Sequence, residues 1–333
     1  MFKNFLSFSN ASGMLAVLLL VALLSIIFSL LAGSIHLNLA ELWQALFGED
    51  TTMGHRLIWE LRLPRTLSAF IVGAMLSLAG ALMQVMLRNP LADPYILGVS
   101  GGASVAALLA ILAGFSGLIL STASFLGALF SILLVFGLSK GSGSWSPIRV
   151  LLTGVVLASG WGAVISFLLA SSPDQNLRSM LFWLMGDLSY AQAPVWIVIL
   201  AVVTTGIACS QARILNLLMH GHLQARALGV STDTAYMIIL ITASLLTAGA
   251  VSIAGSIGFI GLIVPHLIRL SMTSDHRLLL PASLLLGGTL LVVADTVART
   301  IISPQQLPVG VITAFIGVPL FLIILHRDTV RNS

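Results

Sequence analysis

Residues 80–102 read GALMQVMLRNPLADPYILGVSGG. An apolar run of helical character ends at Leu87 and meets two prolines, Pro90 and Pro94, before the apolar chain resumes. Each proline lacks an N–H and disfavours helix in the residue before it, so one helix cannot run through both. In a membrane protein, backbone that stops being helical must lie at the water interface or line a protein-walled cavity. The stretch therefore predicts a polar turn between two membrane helices, with an ordinary loop as the alternative.

The composition excludes a soluble domain. Of the 333 residues, 58% are hydrophobic and 8% are charged, whereas a soluble domain carries about 25% charged residues. The apolar runs are continuous and do not alternate with polar residues as the strands of a membrane β-barrel do. The single cysteine, Cys209, excludes a disulfide framework and a cysteine-based metal site. We expect an all-α polytopic membrane protein with no metal, no cofactor and no nucleic-acid partner.

The apolar runs predict about ten transmembrane helices, because each crossing needs about 20 apolar residues. The predicted helices cover residues 14–31, 66–87, 96–113, 118–138, 150–170, 194–210, 233–253, 259–272, 278–298 and 309–325. Short surface helices are predicted at 42–47 and 177–185. An even number of crossings places both termini on one side of the membrane. Assigning that side to the cytoplasm gives it the larger share of the 15 lysines and arginines, as the positive-inside rule requires.

Small residues recur at helical spacing in the second predicted helix. They are Gly73, Ala74, Ser77, Gly80 and Ala81. Small side chains at this spacing let helix backbones approach closely. We therefore expect this helix to be surrounded by others, although small residues are also common in membrane spans generally.

A polar stretch, residues 211–232, separates the sixth and seventh predicted helices. Within it, residues 225–228 predict a short helix that Gly229 can end. We expect this helix to project from the cytoplasmic side of the membrane. A loop helix without a partner is one interpretation of this stretch.

Four stretches together resemble the FecCD-like permease subunits of binding-protein-dependent ABC importers for ferric siderophores, haem and cobalamin. They are LRLPR (61–65), QVMLRNPLADPYILGVSGGA (84–103), GHLQARALGV (221–230) and GFIGLIVPHLIRL (258–270). Their combination is specific, whereas each one alone is a weak signal. With the helix pattern they cover nearly the whole chain. The resemblance implies a type II ABC importer permease fold, with residues 1–333 as one transmembrane permease domain in the bacterial inner (cytoplasmic) membrane.

The resemblance also implies the partners. Two separate ATPase subunits bind from the cytoplasm, a periplasmic substrate-binding protein delivers the metal chelate, and a second permease copy, identical or related, completes the path. The sequence has no G-x-x-x-x-G-K-[ST] motif, so it cannot bind ATP through a P-loop of its own. We expect the chain itself not to be an enzyme, with ATP hydrolysis on its partners.

In this family, the segment that matches residues 221–229 docks in a cleft of the ATPase. The resemblance carries that coupling role to Gly221, Leu223, Ala225, Ala227, Leu228 and Gly229. Family members often have an acidic residue near the start of this segment. Here that start reads His222, Leu223 and Gln224, so the detailed contacts are expected to differ.

The resemblance assigns docking of the binding protein to three arginines, Arg62, Arg65 and Arg299. Arginine offers a planar, permanently charged fork that suits carboxylates, and in the family equivalent arginines meet acidic residues on the two lobes of the binding protein. Anchoring of helix ends at lipid headgroups is the alternative role for these side chains.

The resemblance assigns the cytoplasmic gate of the path to two turns. Asn89 and Leu91 match positions that help to close its end. The turn between the fourth and fifth predicted helices supplies the other part, and its nearest residues here are Ser146 and Pro147. This turn usually carries small hydroxyl residues, so the match is imperfect.

An ion-coupled secondary transporter working without an ATPase is the alternative function. It predicts buried charges along the helices, yet apart from Asp295 the predicted helix interiors are nearly free of charge. Asp295 lies four residues before Arg299 on the same helix face, which favours a local ion pair over a proton relay. His266 has no second ligand at metal-binding spacing, which favours a packed or interfacial histidine. The sequence does not identify the chelate.

Overall fold

The structure is a computed structural model that describes residues 11–33, 35, 37–48, 53–139, 147–189 and 191–332, and within these ranges all regular elements are helices. The first eight are α1 (Ala11–Leu31), α2 (Leu39–Phe47), α3 (Met53–Arg56), α4 (Leu63–Met86), α5 (Val99–Leu112), α6 (Gly117–Ser139), α7 (Pro147–Ser171) and α8 (Asp174–Leu184). The others are α9 (Val195–Ser210), α10 (Ala212–Met219), α11 (His222–Ala227), α12 (Thr232–Ala254), α13 (Ile260–Ser271), α14 (His276–Thr300) and α15 (Val309–Asn332).

Several of these helices can cross a membrane. Six in the described part of the chain are long and apolar enough, and α9 with α10, a pair bent by 52°, would make a seventh. Shorter apolar helices are α5, α13 and the part of α15 from 309 to 323. The all-α polytopic architecture is therefore confirmed, while the number of ten crossings stays a prediction. The two predicted short surface helices correspond to α2 and α8.

The polar turn predicted from residues 80–102 is confirmed. Helix α4 ends at Met86, and the Asn89 side-chain oxygen accepts a hydrogen bond from the Leu91 N–H at 2.9 Å. A 3₁₀ turn, Pro94–Leu97, follows and leads into α5. The side chain of Asp93 begins this turn by accepting from the Tyr95 N–H at 2.8 Å. The two prolines thus lie where the chain has left α4, as their missing N–H groups require.

The predicted start of the second helix at residue 66 is wrong. A π-helical turn, Leu57–Arg62, joins α3 to α4, so that the chain is helical without a break from Met53 to Met86. In this turn the Leu63 N–H donates to the Ile58 carbonyl, five residues back. Pro64 is the second residue of α4, directly after the π-helical turn, and it supplies no N–H for a backbone hydrogen bond there. The sequence alone does not reveal a π-helical turn, which is why the prediction placed the start of the helix too late, at residue 66.

Helix α4 lies at the centre of the molecule. Every residue from 72 to 86 is buried, and α12, α13 and α14 pack around the helix. A helix buried on all sides needs no polar face, which explains why this one is apolar or small all round. The expectation that it is surrounded by other helices is confirmed.

Glycines set the distance between α4 and its neighbours. A Cβ placed on Gly73 would overlap the carbonyl oxygen of Gly287 in α14, and one placed on Gly80 would overlap the carbonyl oxygen of Gly261 in α13. Packing between membrane helices relies on such close approaches, because lipid provides no hydrophobic force to press helices together. These two contacts fix α4 against two neighbours at backbone distance.

We predict that Gly80→Ala destabilises the fold. The added methyl group must displace the backbone of α13, and forced overpacking of this kind costs about 1–3 kcal/mol, which lowers the melting temperature by on the order of 5 °C. Gly206→Ala in α9 is the matched control, because nothing lies within 4 Å of a Cβ at that position. Scanning fluorimetry of both variants in detergent measures the effect. Equal melting temperatures for the two variants would contradict the packing described here.

Candidate functional site

One end of the helix bundle holds a buried ion pair between the start of α4 and the end of α14. The Arg65 guanidinium donates to the Asp295 carboxylate from Nη2 (2.8 Å to Oδ1) and from Nε (3.0 Å to Oδ2). Its Nη1 donates to the Gln306 side-chain oxygen at 2.6 Å. Arg65 is 8% exposed and Asp295 is 1% exposed. We call this cluster, with Arg62 and Arg299, the Arg65 end.

Arg299 extends this network to α1. Its Nη2 donates to the Ser29 backbone carbonyl and, at 2.7 Å, to the Ser29 hydroxyl. Its Nε lies 3.9 Å from Asp295 Oδ2, one helical turn away. The local ion pair predicted for Asp295 and Arg299 is therefore confirmed. The closer partner of Asp295 is Arg65, which is 230 residues distant in the chain and which no local spacing could indicate.

Arg62 is bound to the end of α1. Its Nη1 donates to the carbonyls of Leu30 at 2.6 Å and Leu31 at 3.2 Å, and its Nη2 donates to the Ile35 carbonyl at 2.5 Å. The last carbonyls of a helix have no partner within the helix and favour a cation. Arg62 and Arg299 thus both bind backbone carbonyls near the end of α1. All three arginines assigned to docking are buried in this conformation.

The opposite end of α4 carries a second buried polar contact. The Gln84 amide nitrogen donates to the Leu262 carbonyl at 3.0 Å, and its oxygen accepts from Nη1 of Arg269. Arg269 is the basic residue in the last turn of α13. We call this region the Arg269 end. Sequence reasoning missed this pair, although Gln84 was a visible signal as an amide in an otherwise apolar helix.

His266, on the same helix as Arg269, is buried as predicted. Among the described residues, no group of three or more His, Cys, Asp and Glu side chains could hold a metal ion.

The gate residues are only partly described. Asn89 is exposed and Leu91 is half-buried in the turn that follows α4, close in sequence to Gln84. Ser146 lies outside the described residues, and of Pro147 only the backbone at the start of α7 is described. The turn that holds Asn89 and Leu91, to which the resemblance assigns part of the gate, thus lies at the Arg269 end.

The polar stretch 211–232, to which the resemblance assigns coupling to the ATPase, contains the expected short helix. Helix α11 ends in a Schellman motif, in which the Gly229 N–H donates to the Arg226 carbonyl at 2.9 Å and the Val230 N–H to the Ala225 carbonyl at 3.0 Å. Gly229 has a φ of +83°, which favours glycine. The glycine end predicted for this helix is confirmed. The helix begins earlier than residue 225, at His222, directly after Gly221.

The exposed surface of α11 and of the residue that follows it includes apolar side chains beside the polar Gln224 and Arg226. Leu223 is 81% exposed and Leu228 is 67% exposed, and Ala227 is exposed as well. Ala225, in contrast, is fully buried, on the side where α11 packs against α10 and the start of α12. One small residue thus fixes the helix to the protein, while two leucines are left available to a partner.

Comparisons with known proteins all match this chain to transport proteins. The model of the FecCD transport family matches residues 19–327. The chain is 38% identical over 330 residues to the hemin transport system permease protein HmuU of Yersinia pestis, covering 96% of this chain and 97% of that one. It is 40% identical over 301 residues to the vitamin B12 import system permease protein BtuC of Vibrio cholerae, covering 88% and 90%.

A solved structure extends the likeness to the fold. It is described as a proposed metal-chelate type ABC transporter in an inward-facing conformation. It superimposes with a TM-score of 0.82 at 33% identity, over 95% of this chain and 99% of that one.

We predict that Asp295→Asn strongly destabilises the protein, because it leaves the Arg65 charge buried without a counter-charge. Breaking a buried pair from one side costs about 3 kcal/mol or more. The control is Asp233→Asn, which breaks the exposed pair between Arg226 and Asp233 (3.5 Å) and should cost less than about 1 kcal/mol. Thermal unfolding in detergent separates the two, and similar shifts would show that the Arg65 end does not hold the helices together.

Proposed function

This chain belongs to the FecCD transport family, and we propose that it is the permease subunit of an ABC importer that moves a metal chelate across the inner membrane. The chelate class is a ferric siderophore, haem or cobalamin. The named substrates of its relatives support this class, since those relatives are permeases for hemin and vitamin B12. The multi-pass architecture supplies the membrane path, and the energy comes from ATP hydrolysis on separate subunits.

The exposed apolar surface of α11 is the observation that carries this proposal. Leu223 lies on a helix of only six residues, too short to cross a membrane, and Leu228 follows this helix directly. Burying one leucine side chain stabilises a contact by about 1.5–3 kcal/mol. A hydrophobic cleft on an ATPase would cover both leucines, and two ATPase subunits would each bind one permease copy.

The construction of α11 suits a helix that must transmit movement. Its Schellman end fixes the exit of the chain at Gly229, and the buried Ala225 holds it against α10. A helix fixed in this way moves together with the elements behind it. ATP-dependent displacement of the ATPase would therefore shift the Arg269 end, which we assign to the cytoplasmic side.

Transport would follow from two alternating conformations. Nucleotide state and docking of the binding protein bias their equilibrium only as far as each makes different contacts in the two conformations. In this scheme the turn that holds Asn89 and Leu91 closes the cytoplasmic end of the path, together with the segment that includes Ser146 and Pro147. A second permease copy encloses the path from the other side.

Docking of the binding protein by Arg62, Arg65 and Arg299 stays a prediction. In this conformation each guanidinium is buried and already has partners within the chain. A carboxylate of the binding protein would have to compete with those partners. Alternatively, it would bind a second conformation of the permease, in which the arginines have separated from them. The binding protein would then sense the arrangement of α1, α4 and α14 directly.

A secondary transporter would need a group that exchanges a proton or ion during transport. The acidic side chain of Asp295 is buried, with 1% of its surface exposed, and it is held by Arg65 at 2.8 Å. Its protonation would leave the Arg65 charge without a counter-charge, which is costly. This contact makes the alternative less favourable than a permease driven by ATPase subunits.

We predict that Leu228→Asp abolishes binding of the ATPase, because a charge must then lose its water inside an apolar cleft. The matched control is Gln305→Asp, which adds the same charge at an exposed position in the loop after α14. Both variants are expressed with the neighbouring genes and purified by a tag on the permease. The expected result is that the ATPase co-purifies with wild type and with Gln305→Asp but not with Leu228→Asp. Co-purification of equal amounts with all three would reject this docking surface.

A further inference from the structure

The contacts of α11 indicate which neighbouring helix a displacement of α11 would act on. It packs against α10 and the start of α12. The link to α12 is reinforced by the ion pair of Arg226 and Asp233, but this pair is 3.5 Å long and both side chains are more than half exposed, so it contributes little. Helix α10 is held more firmly, with Leu215 and Leu218 fully buried. Movement of α11 is therefore passed mainly to α10.

A single side chain makes the polar connection from α10 to the start of α14. The Asn216 amide nitrogen donates to Asp275 Oδ1 at 2.6 Å. The Asn216 oxygen accepts from the His276 backbone N–H at 2.9 Å and lies 2.6 Å from His276 Nδ1. Asp275 begins α14 by accepting from the Arg277 N–H at 3.0 Å. Asn216 thus binds the residues that start this helix.

The orientation of the Asn216 amide follows from its partners. The backbone N–H of His276 can only donate, so it must face the amide oxygen. The Asp275 carboxylate can only accept when it is ionised, so it must face the amide nitrogen. Hydrogen bonds from the Arg277 N–H and from Asn216 lower the pKa of Asp275, which keeps the carboxylate ionised at neutral pH. His276 then donates from a protonated Nδ1, and all three contacts are satisfied together.

Helix α14 reaches from this connection to the Arg65 end. Its 25 residues span about 37 Å at 1.5 Å per residue. Asp275 and His276 lie at its start, while Asp295 and Arg299 lie in its last two turns. The same helix is fixed to α4 at its middle through Gly287 and Gly73. It is thus the element that joins the Arg269 end of the protein to the Arg65 end.

We propose that Asn216 is a positioning residue that transmits displacement of α11, through α10, to α14 and so to the Arg65 end. The proposal rests on the proposed function, since α11 moves only if an ATPase binds it. One of the three contacts of Asn216 is made to a charged group, and such hydrogen bonds are roughly twice as strong as neutral ones. Without the hydrogen bonds of Asn216, α10 keeps its apolar packing but can slide relative to α14. ATP hydrolysis would then no longer displace the Arg65 end.

The test exchanges the two partners. Asn216→Asp places a second carboxylate against Asp275, so this contact becomes repulsive while the contact with the His276 N–H can remain. Adding Asp275→Asn restores a donor facing an acceptor with the roles reversed. Because Oδ1 of Asp275 accepts from both Asn216 and the Arg277 N–H, the new amide must turn so that its nitrogen faces residue 216 and its oxygen faces Arg277, and asparagine still begins a helix well. The parent carries Cys209→Ser, which removes the only cysteine, and Ile301→Cys, at an exposed position directly after α14. Asp233→Asn in the same parent is the control, because it breaks the exposed ion pair of α11 from the α12 side, outside the segment assigned to ATPase docking.

The measurement is the rate at which a maleimide dye labels the thiol introduced by Ile301→Cys. This rate is compared between the nucleotide-free complex with the ATPase and the same complex with ATP plus vanadate. Loss of a hydrogen-bonded link of about 1 kcal/mol corresponds to about a fivefold change in an equilibrium. We expect a nucleotide-dependent rate change in the parent and in Asp233→Asn. It should be lost in Asn216→Asp, with ATP hydrolysis retained, and it should return in the exchanged double variant.

The outcomes separate the two proposals. Failure of the parent to co-purify with an ATPase would reject the proposed function. If the ATPase binds but nucleotide leaves the parent's labelling rate unchanged, or Asn216→Asp responds like the parent, transmission through Asn216 is wrong. Loss of hydrolysis in Asn216→Asp would also overturn it, because the residue would then hold α11 for docking and not transmit its movement.

Discussion

The close approach of α4 to α13 and α14 is the constraint on which the other features depend. In lipid, apolar side chains gain nothing by leaving one apolar surface for another, so helices are held by tight packing and by polar contacts. Gly73 and Gly80 allow this packing at backbone distance. Helix α4 also makes one polar contact near each of its ends, through Arg65 in its first turn and through Gln84 in its last.

The buried ion pair of Arg65 with Asp295 and the contact of Gln84 with Arg269 lie near the ends of the helices, where they set the positions of those ends. At the Arg65 end, three arginines accompany one carboxylate. Other guanidinium donors bind the Gln306 side chain, backbone carbonyls near the end of α1 and the hydroxyl of Ser29. A buried cation that lost these partners would be costly. The Arg65 end is therefore a place where helix arrangement and charge are linked. This linkage suits a protein that must change conformation as a unit when it is bound from outside.

Local sequence signals predicted most of the elements but few of the long-range contacts. The prolines at 90 and 94, the apolar runs and Gly229 each act within a few residues, so the turn after α4, the order of the helices and the end of α11 could be predicted. The contact of Arg65 with Asp295 could not, because it depends on how distant helices pack. The same holds for Asn216 with Asp275, and for the π-helical turn, whose cause lies in the packing around the start of α4.

The central claim is that this chain moves a metal chelate only with ATPase and binding-protein partners. Uptake of haemin and of cyanocobalamin into proteoliposomes, each with its cognate candidate binding protein, tests it most directly. We expect uptake of at least one chelate that requires ATP on the side of the membrane with the ATPase and the binding protein on the opposite side. This uptake should stop when either ATP or the binding protein is left out. Uptake by the chain alone, driven by an ion gradient, would contradict it.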